Sequence, residues 1–287
     1  IVNIKASDLA TISQLTTATI DVISSIDVSG SLSDMVTAVT NGVIFSTLTD
    51  VSLNDPAGTV VDGDDLKTLV DENNLNIETI NELKIEKGSL AAMLAITTSV
   101  SDINIVTSDV SLNDASNSLI LASDLVTAGK EYDDVEVLFN VDISGTVKQI
   151  LDANSEDVTF VKADISLNDA IGTVIDATDL KLIGDLTTGV VQLVKADISG
   201  TVAEVIAAKN SGVTFAVSDI SLNDPSNTVV AATDLKTIGD LTSGDVELIG
   251  TSPAADISGT VQEVLDASNS GVTFVNSDIS LNDVAGT

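Results

Sequence analysis

One short sequence, Ser-Leu-Asn-Asp, occurs five times and sets a period that the whole chain keeps. Its serine stands at positions 52, 111, 166, 221 and 280, so successive copies begin 59, 55, 55 and 59 residues apart. A second sequence, Asp-Ile-Ser-Gly-Thr, begins at 142, 197 and 256, and variants begin at 27 and 85 in the same phase. Self-similarity at such a period predicts a repeat architecture, in which each repeat buries its apolar face against its neighbours.

These landmarks divide the chain into five repeats, which span 1–59, 60–118, 119–173, 174–228 and 229–287. Each repeat ends in Gly-Thr, Asn-Ser or Asn-Thr, and the phase does not break between the first repeat and the last. We therefore expect one continuous solenoid over 1–287, without a second globular domain.

The repeat 174–228 shows the expected helices most clearly. Its first helix is predicted to have Thr178 as N-cap, and Leu180 and Ile183 follow at helical spacing. Its second helix is predicted to begin at Thr201, which has the capping-box spacing with Glu204. The same spacing recurs at Thr146 with Gln149 and at Thr260 with Glu263.

Two runs rich in β-branched residues, VVQLVKADIS and VTFAVSDISL, are predicted to be the main strands of this repeat. Each repeat of about 57 residues then forms two coils of about 22 and 33 residues, and each coil carries a strand and a helix. The fold class that this indicates is an α/β solenoid. The alternative is a right-handed parallel β-helix with helical corners.

The repeated Asp-x-Ser-Leu-Asn-Asp is the main candidate for a functional site. In the copy at 219–224, Ile220 and Leu222 are predicted to point into the core, and Asn223 and Asp224 to form a turn together with Pro225. One interpretation is structural, with the Asn bonding to a neighbouring turn. The other is Ca²⁺ as a cofactor, which takes about six to eight oxygen ligands. The candidate ligands are Asp50, Asn54, Asp55, Asp109, Asn113, Asp114, Asp164, Asn168, Asp169, Asp219, Asn223, Asp224, Asp278, Asn282 and Asp283.

Composition argues against several classes of function. The chain has no His and no Cys, so it lacks the side chains that most often act as general base or nucleophile, and we expect no enzyme. The net charge of −33 repels nucleic acid and anionic membranes, so neither is expected as a partner. No apolar run approaches the roughly 18 residues of a membrane span.

The segments ATDLKTIGDLTSG, VELI, ADISGTVAEVIAA, SGVTF and DISLND together give the chain a family resemblance. It resembles the acidic tandem repeats of very large secreted or cell-surface proteins of bacteria, cyanobacteria in particular. The resemblance covers the whole chain. It implies an extracellular or cell-surface location and a role in surface layers, adhesins or fibres, and it carries over no catalytic residues.

We therefore expect a structural repeat protein of an extracellular filament, surface layer or adhesin stalk, which stacks end to end. One alternative is a surface module that binds a polysaccharide or a partner protein. For a sugar, aromatic stacking platforms are expected, and aromatic residues make up only 2% of the chain. A third reading is a polysaccharide-active enzyme of the β-helix class.

The last repeat, 229–287, is expected to pack head to tail on the first repeat, 1–59, of the next segment or subunit. SLNDVAGT followed by IVNIKASDL reads like the internal SLNDPAGTVVDGDDL, so the partners are identical subunits or neighbouring repeats. Apolar coil edges and unpaired strand edges favour such stacking. The residues expected at this contact are Val2, Ile4, Leu9, Val275, Ile279 and Leu281.

Overall fold

The computed structural model describes residues 2–22, 26–46, 49–71, 76–79, 83–99, 105–106, 109–138, 140–249 and 255–283. Over these ranges the chain is an α/β protein of short strands and ten helices. The helices are α1 Ala6–Ser13, α2 Leu32–Thr40, α3 Gly63–Asp71, α4 Leu90–Ser99, α5 Ala122–Glu131, α6 Val147–Ser155, α7 Ala177–Leu186, α8 Val202–Asn210, α9 Ala232–Gly239 and α10 Val261–Asn269.

The strands are two to six residues long. Those of the first 118 residues are β1 Val2–Lys5, β2 Ile20–Val22, β3 Ile26–Gly30, β4 Val43–Phe45, β5 Asp50–Leu53, β6 Thr59–Asp62, β7 Asn76–Thr79, β8 Leu83–Gly88, β9 Ile105–Val106 and β10 Asp109–Leu112. The next are β11 Leu119–Leu121, β12 Asp134–Val137, β13 Asp142–Gly145, β14 Val158–Phe160, β15 Asp164–Leu167, β16 Val174–Asp176, β17 Val191–Leu193, β18 Asp197–Gly200, β19 Val213–Phe215 and β20 Ile220–Leu222. The last are β21 Val229–Ala231, β22 Val246–Leu248, β23 Asp256–Gly259, β24 Val272–Phe274 and β25 Ile279–Leu281.

The chain forms two compact units. The first contains residues 1–116, 124–139 and 153–159, and the second contains 117–123, 140–152 and 160–287. The first unit contains the sheets β1-β3-β5-β7 and β2-β4. It also contains the sheet β14-β12-β10-β8-β6, in which β9 pairs with β8, except for Phe160 at the end of β14, which belongs to the second unit. Within the second lie β11-β13-β15-β17-β19, β16-β18-β20-β22-β24 and β21-β23-β25.

Each complete sheet of the second unit joins two neighbouring sequence repeats. The sheet β16-β18-β20-β22-β24 takes three strands from 174–228 and two from 229–287, and β11-β13-β15-β17-β19 divides in the same way between 119–173 and 174–228. Every pairing whose register is described is parallel, for example Ile165 opposite Val191. The sequence expectation of an α/β fold with parallel strands is therefore confirmed.

Aliphatic residues in register form the core of each sheet. In the second unit Ile143, Ile165, Val191 and Val213 occupy matching positions on four successive strands, and all four are buried. Side chains alternate between the two faces of a strand, so the residues between them point outward. The result is an apolar interior beneath a mainly polar outer face.

Three local predictions need correction. The runs VVQLVKADIS and VTFAVSDISL are each two strands, because the chain bends between them, and β19 and β20 belong to different sheets. The N-cap of α7 is Asp176, whose carboxylate accepts the N–H of Thr178 at 2.9 Å, so Thr178 is already inside the helix. The turn after β20 begins at Pro225, the last of the three residues predicted for it, and spans 225–228, where the N–H of Thr228 donates to the carbonyl of Pro225 at 3.1 Å.

The capping boxes are confirmed. Thr201 with Glu204 and Thr260 with Glu263 make both reciprocal hydrogen bonds. At the start of α6, the N–H of Thr146 donates to Gln149 at 2.9 Å, and the N–H of Gln149 donates back to Thr146 at 3.2 Å.

The glycine of Asp-Ile-Ser-Gly is required by a close approach between a strand and a helix. A Cβ built on Gly145 would lie 2.5 Å from the Cβ of Ala122, and one on Gly200 would lie 2.7 Å from that of Ala177. Both alanines are fully buried at the start of a helix. The sequence therefore pairs the smallest residue on the strand with the next smallest on the helix.

Replacing Gly145 by Ala should lower the free energy of unfolding by about 1–3 kcal/mol, because the added methyl group overpacks this contact. Urea denaturation measures the change. Gln192→Ala, on an exposed position of the same sheet, is the control and should stay within about 0.5 kcal/mol of the parent. Equal stability of both variants would contradict the close approach.

Candidate functional site

The last aspartate of each Ser-Leu-Asn-Asp caps a helix. Asp169 accepts the N–H of Val147, the first residue of α6, at 2.9 Å, and Asp224 accepts that of Val202, the first residue of α8, at 3.0 Å. Both aspartates are buried. The other three copies make the same bond, as Leu32 to Asp55 at 2.8 Å, Leu90 to Asp114 at 2.9 Å and Val261 to Asp283 at 3.0 Å. The first N–H groups of a helix lack intrahelical partners, and a carboxylate there also meets the positive end of the helix dipole.

The asparagine before it ties the same two segments together. The N–H of Asn168 donates to the carbonyl of Gly145 at 2.9 Å, and its side-chain amide donates to the hydroxyl of Ser144 at 3.0 Å. Asn223 makes the equivalent bonds to Gly200 and Ser199, at 3.0 and 3.2 Å. The backbone bond also recurs as Asn54 to Gly30, Asn113 to Gly88 and Asn282 to Gly259.

The aspartate at the start of the motif bonds to the backbone just before a later strand. Asp164 accepts the N–H of Val190 at 2.7 Å, and Asp219 accepts that of Asp245 at 2.8 Å. The first of these bonds spans 26 residues of the chain, and so does the second. Asp109 and Asp278, at the equivalent positions, are exposed.

Two of the proposed calcium ligands in each motif, its first and last aspartates, lie at opposite ends of a strand. Strand β20 lies between Asp219 and Asp224, and a strand rises about 3.3 Å per residue, so their Cα atoms are roughly 10 Å or more apart. Each carboxylate has its own backbone partner. Across the described ranges, no three acidic side chains are grouped as metal ligands. Calcium binding at these turns stays a prediction.

Acidic side chains collect in two shallow hollows on the outward face of the second unit. One, of about 390 Å³, is lined by Leu119, Asp142, Asp164 and Gln192, among others. The other, of about 420 Å³, lies one repeat later and is lined by Val174, Asp197, Asp219 and Glu247, among others. In the first hollow Asp142 and Asp164 stand directly opposite each other on paired strands. Neither lining contains a basic residue, so the hollows present only negative charge.

Burial raises the pKa of two carboxyl groups. Removal from water raises the pKa of Asp224, and nearby Glu204 raises it further, against the lowering effect of the Val202 N–H. Burial also raises the pKa of Asp65, and the charge of neighbouring Asp62 adds to the shift. Ionising either carboxyl group therefore costs more free energy in the folded chain than in the unfolded chain.

The aromatic side chains that the structure describes belong mainly to the core. Phe45, Phe160 and Phe215 are buried, and Phe274 is partly buried. Tyr132 is buried too, its hydroxyl donates to the carbonyl of Met93 at 3.2 Å, and burial raises its pKa to about 12. In the described part of the chain no exposed aromatic ring is available to stack on a sugar.

The residues expected at the two ends differ in their exposure. Val275, Ile279 and Leu281 are exposed, as a contact surface requires. Leu9 is buried within its own chain, on the inner face of α1, so its assignment to an end surface is wrong. Ile4 is half-buried on β1, which pairs with β3. The side chain of Val2 lies outside the described part.

Sequence reasoning missed the capping role because it joins residues far apart in the chain. Asp169 and Asp224 each bond 22 residues back, and the other copies bond 22 to 24 residues back. The near-constant offset between the motif and the preceding helix start was the available signal.

No family model matches the chain, and no curated protein matches it. In the described part, no helix combines the length and apolar character needed to cross a membrane.

Removing a cap should destabilise the chain more than removing an exposed ion pair. Asp169→Ala leaves the N–H of Val147 without its partner and should lower the free energy of unfolding by about 1–2 kcal/mol. Asp169→Asn keeps an acceptor and should recover much of the loss. Asp152→Ala, which removes an exposed pair with Lys148 on the same helix, should cost about 0.5 kcal/mol or less. Equal losses for Asp169→Ala and Asp152→Ala in urea denaturation would contradict the cap.

Lowering the pH from neutral to about 5 should stabilise the fold. Because the pKa values of Asp224 and Asp65 are raised on folding, the folded chain binds more protons than the unfolded chain, and the free energy of unfolding rises as pH falls. Repulsion among the charges that sum to −33 acts in the same direction. Urea denaturation at constant ionic strength measures the trend. Asp224→Asn should make it shallower, and a loss of stability over this range would show that the sign is wrong.

Proposed function

We propose that this chain is an α/β solenoid that serves as a structural repeat segment of an extracellular filament, surface layer or adhesin stalk. The observation that supports the proposal is that the recurring Asp, Asn and Gly residues hold neighbouring segments of the fold together. In the copies at 164–169 and 219–224 the polar groups bond to the backbone of neighbouring coils. A motif whose side chains make these backbone bonds has a structural role in each repeat. Its recurrence can therefore be explained without a bound ligand.

Catalysis and sugar binding have less support. The chain has no His or Cys, and the acidic hollows contain no basic residue to pair with an acid. The described aromatic rings are buried or partly buried. The resemblance to acidic repeats of bacterial surface proteins supports the extracellular location. The net charge of −33 keeps a repetitive aliphatic protein soluble.

Immunogold electron microscopy of intact source cells tests this proposal. Antibody raised against the chain should label the cell exterior or filaments attached to it before permeabilisation. A cytoplasmic marker protein, labelled only after permeabilisation, is the control. If the chain is labelled only together with that marker, the extracellular structural role is wrong.

A further inference from the structure

Asparagine is followed directly by glycine at one place in the sequence, Asn41-Gly42. The pair lies in the first unit, where α2 ends and the chain turns into β4. At the equivalent places after α8 and α10, the C-cap of the helix is a serine, Ser211 or Ser270, again followed by glycine. The first repeat therefore carries a side-chain amide where these later repeats carry a hydroxyl.

This turn is exposed, and its backbone requires glycine. Asn41 is exposed, and Gly42 has a φ of 92°, a conformation that residues with a side chain rarely adopt. A Cβ built on Gly42 would lie 4.0 Å from the Cα of Thr19, so the space around Gly42 is open. Glycine itself has no side chain to screen its main-chain nitrogen from the amide of Asn41.

In the closed turn this nitrogen cannot attack that amide. The N–H of Gly42 donates to the carbonyl of Val39 at 2.9 Å, and the N–H of Asn41 donates to that of Thr37 at 3.2 Å. With a ψ of 13° at Asn41, the Gly42 nitrogen eclipses the main-chain nitrogen of Asn41, whereas an attack on the amide requires it to eclipse Cβ. The last turn of α2 must therefore open before any reaction, and helix ends open at little cost in free energy.

We propose that Asn41 is a site of spontaneous deamidation, whose rate is set by the opening of the turn between α2 and β4. The reaction needs no partner other than water, and it is independent of the structural role proposed above. Attack within one chain is fast once the reacting atoms are brought together, so the open turn is the reactive state. The first repeat is then the part of the chain that is chemically marked by its own opening.

The reaction has two steps. In the first, the nitrogen of Gly42 loses its proton to hydroxide and attacks Cγ of Asn41. The N–Cγ bond forms and the Cγ–Nδ2 bond breaks, so a succinimide ring remains and the side-chain nitrogen leaves as ammonia after taking a proton from water. In the second step, water opens the ring. Cleavage of its N–Cγ bond gives aspartate, and cleavage of its bond to the main-chain carbonyl carbon gives isoaspartate.

Either product weakens this turn. Aspartate adds a negative charge at the C-terminal end of α2, where the helix dipole is negative as well. Isoaspartate also lengthens the main chain by one carbon atom just before Gly42, whose carbonyl accepts the N–H of Ile20 at 3.0 Å. Ile20 stands opposite Val43 in the pairing of β2 with β4, and Val43 and Phe45 are buried. Isoaspartate should therefore displace β4 from its register.

Peptide mapping of the 287-residue chain by mass spectrometry tests the proposal. After incubation in mildly alkaline buffer, deamidation should accumulate at Asn41 ahead of Asn210 and Asn269, which are followed by serine. In urea that unfolds the chain, the rate at Asn41 should be about ten to a hundred times that in native buffer, because the closed turn no longer protects it. Asn41→Ser, which copies Ser211, removes the reacting amide and is the control.

Two results would overturn the site or its control by the fold. Faster deamidation at Asn210 or Asn269 than at Asn41 in the unfolded chain would show that Asn41 is not the reactive asparagine. Equal rates at Asn41 in native buffer and in urea would show that the turn does not protect it.

Low concentrations of urea separate opening of the turn from unfolding of the whole chain. Opening one helix end exposes little surface, so the rate at Asn41 should change little with urea until the unfolding transition begins. A rate that instead rises with urea in proportion to the globally unfolded fraction would overturn the proposal, because the turn would then not open by itself.

Urea denaturation of the separated products tests the effect on β4. Asn41→Asp carries the added charge without the longer main chain, so its midpoint should lie between those of the parent and of the isoaspartate form. An isoaspartate form with the same midpoint as Asn41→Asp would contradict the displacement of β4.

Discussion

The structure depends on the hydrogen bond from the first N–H of a helix to an aspartate 22 to 24 residues later in the chain. It occurs at α2, α4, α6, α8 and α10, and in each case the aspartate ends a Ser-Leu-Asn-Asp. A helix end that carries unpaired N–H groups is costly to bury, and a carboxylate on the next coil removes that cost. The strand that precedes this aspartate is then held at a fixed position relative to the helix start, and this sets its register with the parallel strands beside it.

That register explains the rest of the repeated motif. With Asp169 fixed, the neighbouring Asn168 reaches the carbonyl of Gly145, and Ile165 and Leu167 fall on the buried face of β15. The glycine is needed because Ala122 is within reach of any larger side chain at that point. The cost is that Asp142 and Asp164 stand side by side on the outer face. Like charges opposite each other destabilise a sheet, and the aliphatic core must outweigh that repulsion.

Local signals in the sequence predicted local structure well. The capping box of Thr201 and Glu204 needs only four consecutive residues, and it forms as expected. The alternation of Ile220 and Leu222 with polar neighbours also gave the buried face of β20. Predictions that depended on packing between coils fared worse. The sequence pattern predicts a turn at Asp224 where the structure has a helix cap, and it assigns Leu9 to an end surface although Leu9 faces the core. In these cases the deciding contact joins residues more than 20 positions apart or depends on which face a neighbouring coil covers.

Amide hydrogen exchange at Val147 and Val202 tests the central claim most directly. The first N–H of a helix ordinarily exchanges fast, because it has no partner within the helix. If the aspartates of the following coil hold these two groups, they should exchange as slowly as the amides of Ile150 and Val205 in the interior of the same helices, which bond to Thr146 and Thr201. Exchange of Val147 and Val202 at the rate of freely solvated amides, with Ile150 and Val205 protected, would contradict it.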